Sequence, residues 1–340
     1  MKRENNKNKH LYPLSLGLGA IIAIIAWAFI FAIKEYNGTS QWIYIPHNAD
    51  SGSIRDSLET RLGSAGTNAY FLWEISGGNP CDAHGAYLVK DGDRAYNIGK
   101  RLMRGQQTPV RVTINNIRTV RQLSERIARK MEWDGDDFIT ACSTILPGAG
   151  FKVAEFPAAF LPDTYEFYWN ASPESVVTRL LDYRNNFWDA NRRQKAKAIG
   201  LNPVKVATLA SIVEEETNAI DERPVVARLY LNRLKKGMML QADPTVKFAV
   251  GDLSIRRITG KHLAVESPYN TYRNTGLPPG PIRIPEKAAI DAVLDAPEHN
   301  YIYMCAKEDF SGRHNFAADY ATHQRNAGRY RSELNRRGIR

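Results

Sequence analysis

The run Leu209-Ala210-Ser211-Ile212-Val213-Glu214-Glu215-Glu216-Thr217 carries three acids whose spacing gives them different surroundings. At about 100° per residue, Lys205, Leu209, Ile212, Val213 and Glu216 fall on one side of a helix, while Glu214 and Glu215 point away from its centre. Glu216 then lies one turn beyond two apolar residues, on the stripe expected to face the interior. An ionised carboxylate there costs several kcal/mol unless it is paired, so it finds a partner or keeps its proton to higher pH. A glutamate protonated near neutrality is what general-acid cleavage of a glycosidic bond requires. The alternative is a structural carboxylate bonded to an arginine or to backbone amides.

Three loops downstream carry further polar chemistry. Gln241-Ala242-Asp243-Pro244-Thr245, Tyr269-Asn270-Thr271-Tyr272 and Gly276-Leu277-Pro278-Pro279-Gly280-Pro281 combine amides, hydroxyls, aromatics and rigid turns. Such a set resembles the lining of a carbohydrate groove, where aromatic faces stack on sugar rings and amides bond hydroxyls. Ordinary turn chemistry accounts for any one of these loops. Three in succession after a buried glutamate favour a site. His314 follows a glycine-containing turn and precedes the strand-like Asn315-Phe316, so it is either a supporting site residue or a structural one. His323, on an expected helix, reads as a packing or hydrogen-bonding residue.

The elements that must hold these residues are legible in outline. Pro203 suits the first turn of the Glu216 helix, and a helical stretch from Pro173 to Ile199 precedes it. Asp221-Glu222-Arg223-Pro224 ends that helix and starts another, which carries the apolar stripe Val226, Leu229, Tyr230 and Leu234 and stops at Gly237. Two tightly joined helices would pack with Glu216 near their seam. Upstream, a loose strand–loop–helix pattern recurs: Trp42–Ile45 before Ile54–Leu62, Ala86–Val89 before Ala95–Met103, and Val110–Ile114 before Thr119–Met131. Their irregular spacing indicates small α+β modules rather than a true repeat. Pro147-Gly148-Ala149-Gly150 reads as a loop and a domain boundary.

Leu11 to Ile33 contains no charged residue, a length that crosses a bilayer at ~1.5 Å rise per residue. Lys2, Arg3, Lys7 and Lys9 precede it and Lys34 and Glu35 come after, so the positive-inside rule leaves the N-terminus cytoplasmic. A cleaved signal peptide would have a shorter apolar core and then small residues, which Lys34-Glu35-Tyr36-Asn37 does not supply. The expected organisation is a tail over 1–10, a transmembrane helix over 11–33, an extracytoplasmic region over 34–150 and a catalytic domain over 151–340. Hydrophobic content of 43% indicates globular folding rather than disorder. The formal charge of +10 raises nucleic acid first, but an exported chain meets little of it; anionic headgroups or an acidic wall polymer suit it better. Cys81, Cys142 and Cys305 show no metal-ligand spacing, one disulfide among them is open, and neither a metal nor a cofactor is expected.

With these residues in view, the chain resembles the YceG-like family of membrane-anchored endolytic murein transglycosylases. The resemblance is carried by Leu209–Thr217, Glu222-Arg223-Pro224, Leu231-Asn232-Arg233-Leu234, Gln241 with Asp243-Pro244-Thr245, Pro268–Tyr272, Leu277–Pro281, His314 with Phe316 and His323, and Leu161-Pro162-Asp163-Thr164-Tyr165. It implies an α+β fold: one N-terminal transmembrane helix, LysM-like modules, and a mixed α+β catalytic domain bearing the glutamate on a helix. It places the catalytic glutamate at Glu216; the polar loops read above then put Gln241, Asp243, Thr245, Tyr269, Asn270, Thr271 and Tyr272 around the substrate, with His314 in support. The implied reaction cleaves the MurNAc–GlcNAc bond of nascent strands without water, leaving 1,6-anhydro ends. The implied location is the inner membrane, with the catalytic domain periplasmic. Peptidoglycan synthases are the partners compatible with such an enzyme. A water-adding muramidase, with Asp243 as second carboxylate, and a non-catalytic wall-binding scaffold are the alternatives. Three positions depart from the family pattern: Glu215, where lysine is common and where added negative charge would raise the Glu216 pKa, and Glu286 and Arg313, where glycine is common.

Overall fold

The computed structural model describes residues 11–255 and 257–338. It is a mixed α+β structure whose strands form three separate two-stranded sheets. The chain divides into two compact units. Unit 1 comprises residues 1–111, 130–132 and 166–171; unit 2 comprises residues 112–129, 133–165 and 172–340.

Unit 1 contains α1 (Leu11–Ala32), β1 (Gln41–Ile45), α2 (Ser51–Leu62), α3 (Ser64–Ile75), α4 (Pro80–Ala83), β2 (Gly85–Val89) and α5 (Ala95–Met103). Strands β1 and β2 pair antiparallel, with Ile43 opposite Tyr87. Their inward side chains pack with Ile54, Leu58, Trp73, Ile98 and Leu102 into one core. The segment Gly19–Ala32 of α1 is apolar, and its large side chains, Ile21 through Ile30, are more than half exposed. Among the described residues no single helix is long and apolar enough to cross a membrane. Residues 1–10, where the basic tail is expected, lie outside the described residues.

The boundary falls within β3 (Val110–Ile114), after which come α6 (Val120–Ala128), α7 (Gly135–Gly148) and β4 (Asp163–Phe167). The expected loop at Pro147 is in fact the last turn of α7. Thr119 caps α6 as its sequence suggests, accepting from Gln122 N at 3.1 Å. The helical stretch expected over Pro173–Ile199 is two helices, α8 (Pro173–Phe187) and α9 (Ala190–Ala198). Asp189 divides them because its side chain caps the second, accepting from Arg192 N.

The rest of unit 2 contains α10 (Pro203–Glu216), α11 (Arg223–Lys235), α12 (Asp243–Val250), α13 (Gly260–Leu263), α14 (Lys287–Leu294), the hairpin β5 (Tyr303–Ala306) and β6 (His314–Ala317), and α15 (Tyr320–Arg336). Asn202 caps α10 by accepting from Lys205 N at 2.8 Å, and Pro203 occupies its first turn. From Val206 to Glu214 every residue of α10 is buried, so the helix has no solvent face. It packs against α9, α11, α12 and α14. This corrects the one-sided wheel: Lys205 is exposed at the open first turn, while Glu214 is only 5% exposed.

The Pro-rich loop after Gly276 is pinned against the backbone of the 3-10 turn Val153–Ala159. A Cβ built on Gly280 would stand 1.8 Å from Ala154 O. Gly280→Ala should therefore lower the unfolding free energy by about 2–3 kcal/mol in urea titrations. Gly148→Ala, with open space around it at the end of α7, should be neutral or slightly stabilising. Equal effects at the two positions would reject the close approach.

Candidate active site

Glu216 is the last residue of α10, and the turn after it sets its position. Thr217 switches to extended backbone, with φ −140° and ψ 134°, and ends the helix. Its hydroxyl donates to Glu222 Oε2 at 3.3 Å and accepts from Ala219 N at 3.0 Å. The chain doubles back through Ile220–Glu222 into α11, which brings Tyr230 beside Glu216. The expected seam between two joined helices is present, with Glu216 at it.

Glu216 opens onto a cleft of about 360 Å³. Its walls include Tyr230 and Arg233 of α11, Gln241 and Asp243 before and at the start of α12, Tyr272, the inner residues of β5, His314 of β6, and Tyr320 and His323 of α15. Tyr303 carries an aromatic wall, with His323 stacked 5.2 Å away and Tyr320 at 5.8 Å. Arg233 is buried and knits the floor. Its Nε donates to Ile302 O at 2.6 Å and its Nη1 to Leu240 O at 2.7 Å, joining α11, the α12 loop and the hairpin.

The electrostatics of Glu216 come from its neighbours. Its Oε2 is buried and has no hydrogen-bond partner, and among the described residues it makes no ion pair. Burial, first, and the nearby Asp243 charge, second, raise its pKa from the ordinary 4.5 to about 7. The Tyr230 hydroxyl and the charges of Arg233 and Lys247 oppose that rise. The Tyr230 and Tyr272 phenols are themselves pushed up, chiefly by burial, so both remain hydroxyl donors.

The two preceding acids have other employment. Glu214 receives Arg283 Nη2 at 3.0 Å and the Glu286 amide at 2.8 Å. Glu215 is paired with Arg118 at 2.7 Å and with Arg283. The like charge acting on Glu216 is therefore Asp243, not the neighbouring Glu215 expected from sequence.

Of the residues singled out by sequence, Gln241, Asp243, Tyr272 and His314 line the cleft with Glu216. Asp243 accepts from the Tyr272 hydroxyl at 2.7 Å. His314 is held at its backbone N and at Nδ1 by the two oxygens of Glu222, at 3.0 and 3.1 Å. Thr245, Asn270 and Thr271 are buried off the lining. Thr271 Oγ1 accepts from Ala242 N and lies 2.8 Å from Thr245 Oγ1, while the Asn270 amide donates to Leu263 O and Val265 O. These bonds hold Gln241 at φ 50°, an unusual conformation for a residue with a side chain. Tyr269 packs on Phe248, ring centroids 4.8 Å apart. The three cysteines are free, and Cys305 is half-buried on the cleft wall.

Residues 43–329, most of the chain, match the model of the YceG-like family. The chain belongs to the YceG-like family. A Bacillus subtilis (strain 168) protein named endolytic murein transglycosylase is 36% identical over 149 residues, 44% of this chain and 41% of that relative. One of the same name from Streptococcus pneumoniae serotype 2 (strain D39) is 29% identical over 194 residues, 55% of this chain and 34% of that relative. The chain thus spans less than half the length of these curated relatives. A crystal structure of a YceG-like protein from Listeria monocytogenes shares the fold with a TM-score of 0.54 and 24% identity, over 84% of this chain and 98% of that one.

Two departures from the YceG-like pattern are absorbed locally. Glu286 caps α14 at φ −62°, which needs no glycine, and its carboxylate takes Arg223 at 2.8 Å. At the closing motif Gly312 takes the positive φ of 74°, leaving Arg313 free to form a two-pronged pair with Asp221 at 2.9 and 3.0 Å. Sequence reasoning gives no site role to Tyr230, Arg233, Tyr303 or Tyr320. The available signal is polar: a tyrosine in the apolar stripe of α11 needs a buried partner for its hydroxyl, as does an arginine three residues on.

The folded protein holds a proton on Glu216 between about pH 4.5 and 7 that the unfolded chain has released, so stability must fall as pH rises through that window. Glu216→Gln cannot titrate there. Wild type should lose roughly 3 kcal/mol relative to this variant between about pH 4.5 and 8 in urea unfolding series. A constant difference across that range would show that Glu216 is not perturbed.

Proposed function

We propose that the protein is an endolytic murein transglycosylase in which Glu216 alone shuttles the proton. Sequence relatives of that name and the membership of the family support this reading. The observation that carries it is the Glu216 carboxyl, facing a cleft with a buried, unpartnered oxygen and a pKa of about 7. Desolvation and Asp243 favour the acid, while Tyr230, Arg233 and Lys247 favour the carboxylate. Near neutrality the two forms are nearly equal in free energy, which suits a group that must give a proton and then take one back.

In the first half of the reaction protonated Glu216 gives its proton to the glycosidic oxygen leaving C1 of N-acetylmuramic acid. The C1–O bond breaks and the GlcNAc hydroxyl departs. The C6 hydroxyl of the same muramic residue then attacks C1, and its proton returns to the Glu216 carboxylate. No water enters, and the ring closes as a 1,6-anhydro end. The nucleophile is already tethered to its target, so a second carboxylate is not needed to activate it. The Gln241 side chain and the Tyr272 hydroxyl supply neutral polar contacts on the cleft wall, and Asp243 orients Tyr272. His314 is fixed on the opposite wall by Glu222.

The wider organisation belongs to the same proposal. The apolar helix α1 anchors the chain in the inner membrane as a single span, with the N-terminus cytoplasmic by the rule for flanking positive charge. Residues 34–150 form the LysM-like region and 151–340 the periplasmic catalytic domain. Tethering the cleft near the membrane suits cleavage of nascent strands beside the synthases that make them.

On purified glycan strands, wild type should release fragments ending in 1,6-anhydro-muramic acid, identified by mass. Glu216→Gln should retain strand binding and lose turnover by roughly 10²–10⁴-fold. Reducing muramic ends carrying oxygen from labelled water would reject the anhydro mechanism. For the pH dependence, kcat/KM should decline as pH rises above about 7, where the acid form of Glu216 is lost. Asp243→Asn removes the neighbouring negative charge, lowers the Glu216 pKa and should move that decline to lower pH. A decline that stays in place would show that Asp243 does not act on the acid.

A further inference from the structure

The junction between α1 and the rest of unit 1 has features that the cleft does not use. The end of α1 runs into the unit through hydrogen bonds. Asn68 Nδ2 of α3 donates to Phe31 O at 3.1 Å, and Ala95 N of α5 donates to Lys34 O at 2.9 Å. Tyr36, only 8% exposed, donates its amide to Asp93 O and accepts from Gly92 N, and Glu35 pairs with Arg94 at 3.3 Å. Such a junction fixes the direction of the helix relative to the unit, as a Gly/Ser tether would not.

The apolar surface also continues across it. Trp27 and Phe31 lie 5.0 Å apart on α1, and Phe31 meets Phe71 of α3 edge-on at 5.3 Å. Phe71 is 38% exposed, and Ile75, one turn further along α3, is 63% exposed. On α5, Tyr96 is 52% exposed with the Lys100 ammonium 5.6 Å from its ring, next to the residue that bonds Lys34 O. Single exposed apolar residues need no explanation. Here ring contacts from Trp27 through Phe31 to Phe71 join the face to an apolar helix, with Ile75 one turn beyond. The same end of α1 meets α5 at Lys34, next to Tyr96 and its Lys100 partner, residue types that gather at membrane–water interfaces.

We propose that unit 1 rests directly on the bilayer, with Phe71 and Ile75 seated at headgroup depth beside the end of α1. The inference depends on the reading of α1 as a membrane anchor. The occupant of this face is a lipid surface, because the helix that the face extends is apolar over Gly19–Ala32 and exposed from Gly19 to Ile30. Anchor and face together would hold unit 1 at a fixed attitude to the membrane rather than letting it swing.

The test uses the full chain in phosphatidylglycerol/phosphatidylcholine vesicles, with p-benzoylphenylalanine replacing Phe71, Ile75, Trp27 or Asp56 in separate preparations. Flotation is checked first, and irradiated samples are then weighed intact. Lipid adducts are expected at positions 27, 71 and 75 and not at 56. Flotation with an adduct at 27 but none at 71 and 75 overturns the docked face and leaves the anchor reading intact. Crosslinks from 71 to a second copy of the chain overturn it as well. Failure to float removes the anchor reading, and the docked face with it.

Discussion

A carboxyl group at the end of a buried helix, with no ion-pair partner among the described residues, is the constraint around which unit 2 is arranged. The arginines around the end of α10 are committed elsewhere. Arg283 is held between Glu214 and Glu215, and Arg223 is engaged by Glu286. Arg233, the only one of these three on the cleft wall, spends its guanidinium on the carbonyls of Leu240 and Ile302. It reaches Glu216 through space and lowers its pKa without pairing with it. Position within Glu214-Glu215-Glu216 thus sets each acid's surroundings: the first two fasten the helix end, and the third has no ion-pair partner among the described residues.

The fastening depends on a second buried acid. Glu222, 7% exposed, accepts from Thr217, which ends α10, and from the backbone and ring of His314 on β6. One carboxylate therefore fixes both the turn that releases Glu216 from its helix and the hairpin strand that brings His314 to the cleft wall. Hydrogen bonds to a charged acceptor in a dry setting are strong, and losing one partner leaves a buried charge uncompensated. The Asp221–Arg313 pair runs beside it at the surface, where it adds register more than energy. These bonds explain why Thr217 comes directly after the third glutamate: a residue unable to donate to Glu222 would leave both ends of the turn loose.

How much of this is legible in the sequence differs from element to element. Helix ends with a cap residue are plain, as at Thr119, because capping is local chemistry. Strands such as Val110–Ile114 show an alternation that matches the burial pattern observed. The wheel drawn on α10 fails for Lys205 and Glu214 because it assumes one wet face, and this helix is covered on all sides. Asp189 acts as a cap inside a stretch of unbroken helical character, so one helix is expected where there are two. In the cleft, Gln241, Asp243, Tyr272 and His314 can be singled out by type and spacing. Which threonines and asparagines are instead consumed in holding loops cannot. Thr245, Thr271 and Asn270 have site-like chemistry, but burial satisfies it internally, and burial is a property of the assembled fold.

The cleft also gathers features that oppose stability. Glu216 occupies the C-terminal end of a helix, where exposed carbonyl dipoles disfavour a negative charge. Gln241 has a backbone conformation better suited to glycine, held by the Thr271 carbonyl and hydroxyl. His323 carries a buried ring nitrogen without a partner. Each would be easy to relieve by one substitution, and they fall on the wall of a single cleft. The surrounding structure supplies the compensation: the fully buried body of α10, the paired Glu214 and Glu215, and the Asp163–Lys287 bridge that draws the Asp163 pKa down to about 2. Local unfavourable terms persist only where such a frame over-determines them, so their concentration around Glu216 argues for chemistry there more strongly than the perturbed acid does by itself.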